Sequence, residues 1–140
     1  GSYTRALQFM DESFTELRHE IVEIMRTALK KRNFRTELLE KIEFLAKNND
    51  KNGIEINLQL LIIWLRDAYT VARAGAKDQI INIDQGEVIS RFAEAFGQRD
   101  IPAAIDSAEK AIFRIKRNVQ IKLLLLTLFV ELRNIFLGSK

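Results

Sequence analysis

The chain contains no cysteine and a single histidine. Without cysteine there is no disulfide framework, no thiolate nucleophile and no zinc–cysteine site. One proline, Pro102, and six glycines punctuate 140 residues, which suits an all-helical protein. The sequence holds no GxxxxGK[ST] or GxGxxG phosphate loop and no HExxH or GxSxG motif. His19 sits beside Glu16, Glu20 and Glu23, and a lone histidine among carboxylates reads as a solvated surface residue. Those glutamates lack the paired Glu-x-x-His motifs of a di-iron bundle. With no nucleophile beside a base, the sequence predicts no active site, no cofactor and no metal centre. The charge excess is small: 22 basic and 19 acidic side chains give +3, spread along the chain without a dense basic stripe. The start is polar and carries no apolar signal-peptide core. The most apolar stretch, residues 118–137, is interrupted by Lys122, Glu131 and Arg133, so no membrane span is expected.

What is present is a chain that is 47% hydrophobic, the length of one ordinary domain and long enough to bury a core without staples. Its apolar residues recur at helical spacing. A short helix is expected over residues 2–10, capped by Ser2. The next starts at the Asp11 cap and runs to about Lys31 with Phe14, Leu17, Ile21, Ile24, Met25, Ala28 and Leu29 inward. Its basic end, Lys30, Lys31 and Arg32, lies where a helix C-terminus favours positive charge. A third helix is expected over residues 33–47, with Leu38, Leu39, Ile42, Leu45 and Ala46 inward. The run Asn48-Asn49-Asp50-Lys51-Asn52-Gly53 is the clearest turn signal. A fourth helix follows over residues 54–74, with Trp64 on its broad apolar face and Gly75 as its left-handed stop. Ile56 and Ile63 fall on or beside its wet face. Residues 80–83 read as an extended connector. Asp84 and Glu87 have capping-box spacing for a fifth helix ending at Gly97. Asp100 caps a sixth, with Pro102 in its first turn, and Asn118 caps the last.

The last helix carries the strongest functional hint. At about 100° per residue its apolar positions form two stripes. The broad one is Ile121, Leu124, Leu125, Leu128, Leu132, Ile135 and Phe136. The narrow one is Val119, Leu123, Leu126, Val130 and Leu137, with Arg133 completing the spacing. One stripe serves the chain's own core, and the other then needs a partner. The plainer alternative buries both stripes inside one bundle, as happens in a central helix. The expected interface is the narrow stripe, with Ile56 and Ile63 as a second contact point.

The segment LLIIWLRDAYTVARAGAKDQIINID, residues 60–84, resembles the C-terminal region of bacterial DNA polymerase III delta-prime subunits, members of the clamp-loader family. The marks are Trp64-Leu65-Arg66-Asp67, a glycine-containing turn, and Ile81-Asn82-Ile83-Asp84. The leucine-rich run after Arg117-Asn118 and the opening GSYTRAL also look like that family. The same organisation occurs in the related gamma/tau subunits. The resemblance implies an all-α fold, a single bundle of about six to seven helices like a clamp-loader collar. It implies that residues 1–10 end a small lid domain (or are a tag and leader) and that residues 11–140 form the collar domain. The nucleotide-binding module would lie upstream of residue 1. ATP-hydrolysing relatives place arginine fourth in the opening helix, where this chain has Thr4, with arginine following as Arg5. That fits a subunit that does not hydrolyse ATP.

The implied role is cytoplasmic and non-catalytic: holding a clamp loader together through contacts with gamma/tau and delta subunits, without direct contact to nucleic acid or membrane. Other readings are a free-standing helical adaptor and a nucleic-acid-binding bundle using Lys30, Lys31, Arg32, Arg35, Arg114, Lys116 and Arg117. An adaptor would show a peptide-sized groove, and a nucleic-acid binder would show steeply salt-dependent binding.

Overall fold

A computed structural model describes residues 12–75 and 79–138. The described residues form six α-helices: α1 Glu12–Ala28, α2 Arg35–Asn48, α3 Lys51–Ala74, α4 Gly86–Phe96, α5 Ile101–Ile115 and α6 Ile121–Leu137. A 3₁₀ turn, Ile83–Gln85, leads directly into α4, and no strand occurs among the described residues. The all-α expectation therefore holds. The short helix over residues 2–10, the Asp11 cap and the Thr4–Arg5 comparison lie outside the described residues.

The longest helix is the middle one, and it organises the chain. α3 carries Ile54, Leu58, Leu61, Trp64, Leu65 and Ala68 fully buried, and it packs on α1, α4 and α5. α6 closes the bundle from the other side, touching α5, α1 and α2. So α1, α3, α5 and α6 form a four-membered ring of neighbours, with α2 laid across α1 and α6 and α4 laid on α3. The polar contacts give α3 and α5 opposite directions. Lys51 Nζ donates to the Arg117 carbonyl at 3.1 Å at one end, and Arg66 meets Glu109 at 3.1 Å further along.

Local chemistry sets several helix ends. Asp50 accepts the Gly53 amide, so α3 starts at Lys51 and its first turn takes up much of what reads as a turn in sequence. Gly75 ends α3 at φ 63°, the left-handed stop expected, and its amide returns to the Val71 carbonyl. Asp100 accepts from the Ala103 amide at the head of α5. Two expected caps are not formed. Asp84 does not cap α4, because its carboxylate is drawn away to Arg18, 66 residues earlier. Asn118 does not cap α6, whose N-cap position is Gln120 without a side-chain bond. α1 also stops at Ala28, short of Lys31, and Asn33 takes a left-handed φ of 58° to turn the chain into α2. Leu39, expected inward, is exposed, because α2 turns Leu38, Ile42 and Leu45 to the bundle instead.

An aromatic cluster joins three helices. Phe92 of α4 meets Trp64 of α3 edge-on at 5.1 Å and Phe136 of α6 at 5.3 Å, with Phe96 stacked alongside. Such edge-to-face pairs exceed simple area burial by about 0.5–1.5 kcal/mol each. The cluster fixes the far end of α6 against the body of the domain, which decides how the rest of that helix is presented.

Candidate interface between subunits

α6 buries one face and shows the other. Leu124, Leu125, Leu128, Phe129, Leu132 and Phe136 are buried against the neighbouring helices. Phe129 belongs to this face although its spacing places it in neither stripe. On the opposite side Leu123 is 60% exposed and Val130 40% exposed, one turn either side of the exposed Thr127. The other members of the narrow stripe are less free. Val119 and Leu126 are partly buried and pack against the core, and Leu137 is half-buried. Ile56 and Ile63 are half-buried on α3. The structure thus brings Leu123 and Val130 together on one outward face and leaves Ile56 and Ile63 on a different helix. The plainer reading, in which both stripes are fully buried, does not hold.

Arg133 completes the narrow stripe by spacing, but its role is different. Its Nη1 donates to the carbonyls of Ala28 and Lys30 at 2.7 and 2.6 Å, and its guanidinium lies 3.8 Å over the Phe34 ring. The first carbonyl is the last of α1, where helix geometry leaves acceptors unsatisfied, and the second lies in the turn just beyond it. A planar fork stacked on an aromatic ring suits the task better than an ammonium would. Arg133 therefore pins α6 to the α1–α2 corner and orients the outward face.

Beside that face runs a groove of about 160 Å³ between α5 and α6, lined in part by Ala111, Arg114, Val119, Leu123 and Leu124. It is shallow and partly apolar, a shape for a protruding side chain. A larger cleft of about 590 Å³ lies between α1 and the start of α4, with Glu16, His19, Glu20, Glu23 and Asp84 on its walls. Among the described residues no group of histidine and carboxylate side chains is arranged to hold a metal ion. Glu20 there is raised above its ordinary value, by burial first and then by Glu16. Sequence reasoning also missed Phe44 and Phe113, both exposed. Each lies off the expected stripes, and an isolated surface aromatic leaves no periodic signal.

The Trp-Leu-Arg-Asp and Ile-Asn-Ile-Asp segments meet in space. The Asp67 carboxylate accepts three hydrogen bonds from the second segment: Ile81 N–H at 2.9 Å, Asn82 N–H at 2.7 Å and Asn82 Nδ2 at 2.6 Å. Asn82 Oδ1 in turn accepts from Arg18 Nη1 at 2.9 Å, and Arg18 forks onto both oxygens of Asp84. Trp64 Nε1 donates to Gln85 Oε1 at 3.3 Å. Arg18, Asp67 and Asn82 are all buried, so this is a satisfied polar network that straps the connector onto α1 and α3. The matching segments serve architecture.

The hydrogen bond from Arg18 holds the Asp84 carboxyl below its ordinary value, against some desolvation. A depressed folded-state value means stability that is present above the unfolded carboxylate value and lost as the pH falls through the folded one. The Asp84→Asn variant is therefore expected to lose stability at neutral pH and to show a shallower further loss on acidification. Thermal melts at neutral pH and below the ordinary carboxylate range test this; parallel pH profiles for the two proteins would contradict it.

A family model described as DNA polymerase III, delta subunit, C terminal matches residues 12–134. The chain belongs to this family. The match runs from the first residue of α1 into the last turn of α6, so the family unit and the helical bundle coincide. No match was found among curated proteins or among solved structures. As a clamp-loader family domain, the chain offers packing surfaces and a buried strap, and no helix among its described residues is long and apolar enough to cross a membrane.

Proposed function

We propose that this chain is the non-catalytic assembly (collar) domain of a DNA polymerase III delta-prime subunit, working in the cytoplasm during DNA replication. It holds the clamp loader together by packing against neighbouring gamma/tau and delta subunits. Residues 11–140 are the collar, and residues 1–10 are the end of the preceding lid domain. The observation that carries the reading is the outward face of α6, where Leu123 and Val130 stay exposed on a helix whose C-terminal half is held by Phe136 and Arg133. A ring-building domain must bury a core and still present apolar surface to a neighbour. Val119, Leu126 and Leu137 support that face from its flank, and Ile56 and Ile63 are a secondary contact on α3. The delta-prime assignment rests on the resemblance of residues 60–84 and on Thr4; a gamma/tau subunit is the alternative.

Because Leu126 packs on the core, its substitution would mix folding with assembly. Leu123→Glu and Val130→Glu are cleaner probes. Mixed with the other clamp-loader subunits of its organism, the chain is expected to form a complex visible by light scattering. The double variant is expected to weaken that complex by about 2 kcal/mol or more, roughly 30-fold, with its melting temperature nearly unchanged. A complex that tolerates both charges would remove α6 from the interface, and no complex at all would favour an adaptor from another system.

A further inference from the structure

A second surface, away from the α6 face, has a different chemistry. At the end of α5, Phe113 is 59% exposed, and the Arg117 guanidinium lies 4.5 Å from its ring centre. The Arg117 backbone carbonyl is held by Lys51 Nζ, which brings a third helix's cation to the same corner. Arg114 and Lys116 occupy the same last turn and are exposed. The nearby carboxylates are Glu55, which reaches Lys116 only at 4.0 Å, Asp50, whose oxygen is taken by the Gly53 amide, and Asp106 and Glu109 earlier on α5, which pair with Lys110 and Arg66. Basic residues at a helix C-terminus are explained by the helix dipole. A phenylalanine left more than half exposed beside them, with only Arg117 on its ring, is not.

We propose that this corner binds single-stranded nucleic acid, with one base stacked on the open face of Phe113 and the flanking phosphates held by Arg117, Arg114, Lys116 and Lys51. An exposed ring beside a few cations is the arrangement that grips an unpaired base and its backbone. Four cations are too few for the six to ten or so phosphate contacts typical of a duplex footprint, and a paired base keeps its faces inside the stack. An acidic peptide would use the cations but leave the ring without a partner, so a base accounts for more of what is present. Phe113 does not line the α5–α6 groove, and of the four cations only Arg114 does, so the two surfaces meet at that one residue.

The test is fluorescence anisotropy with a labelled 20-nucleotide oligothymidylate and the full chain. Binding is expected at low salt, with log Kd changing by about 2–3 per decade of salt, the value for three or four phosphate contacts on a single strand. Phe113→Ala is expected to weaken binding about tenfold or more at an unchanged salt slope, and Phe113→Tyr is expected to restore it. Absence of binding by the wild-type chain at low salt, equal binding by Phe113→Ala, or tighter binding of a duplex of the same length would each overturn the proposal. So would Phe113-dependent binding of a labelled Glu-Glu-Phe-Glu-Glu peptide by a chain that ignores the oligothymidylate; that result would assign the corner to an acidic protein segment.

Discussion

Replacing Asp67 with alanine is expected to destabilise the domain by about 3–5 kcal/mol, out of a total that for such domains is about 5–15 kcal/mol. The carboxylate is 4% exposed and takes three donors from the connector, two of them backbone amides. Each buried donor left without a partner costs about 1–3 kcal/mol, and the three are too close together to add fully. The effect also spreads. Asn82 is held by Asp67 and itself holds Arg18, so the buried guanidinium loses one of its partners once Asn82 is free to turn. Asp67→Asn keeps one oxygen in place and is expected to recover part of the loss. Urea unfolding at neutral pH reads both variants, with the midpoint falling and the slope nearly constant. A loss below about 1 kcal/mol for the alanine variant would mean that water takes over the carboxylate's bonds, and the strap would not be the determinant described above.

Trp64→Ala is expected to cost at the top of the about 3–5 kcal/mol range measured for buried aromatic deletions. The indole is fully buried, packs edge-on against Phe92, and is among the largest side chains in the core. Its removal leaves a void that α3 cannot close, because α1, α4 and α5 all rest on the same helix. It also strips Gln85 of its donor at the root of α4. Trp64→Phe separates the two contributions. It preserves an aromatic partner for Phe92 while losing the hydrogen bond and some volume, and about 1–2 kcal/mol is expected. If phenylalanine proves as damaging as alanine, the Gln85 contact matters more than its 3.3 Å length suggests.

The helices were readable because an apolar period of 3.6 survives without knowledge of partners, and the stop at Gly75 and the start at Asp100 follow from chemistry within a few residues. The long-range contacts were not readable. Asp84 and Glu87 have the right spacing for a capping box, yet Arg18 claims the aspartate from 66 positions away, and no local pattern announces that. Leu39 fits the α2 stripe by period, but a 14-residue helix laid across two others buries only a narrow line. Phe129 falls between two stripes that the folded helix merges on its buried side. Arg133 fills a spacing in the sequence and is a clasp in the fold. On α6 the sequence groups Leu123, Leu126 and Val130 in one stripe, while only the packing separates Leu123 and Val130, which project, from Leu126, which rests on the core.

The Arg133 clasp has a consequence for how the chain is made. Its two acceptors, the carbonyls of Ala28 and Lys30, precede it by 105 and 103 residues. A growing polypeptide therefore carries an unfinished α1–α2 corner until translation has passed residue 133. At about 5–20 residues per second that interval lasts roughly 5–20 s. Helical bundles complete their own folding in roughly microseconds to milliseconds. The ribosome, rather than the folding barrier, then sets when the corner closes, and the helix that carries Leu123 and Val130 is the last of the described helices to arrive.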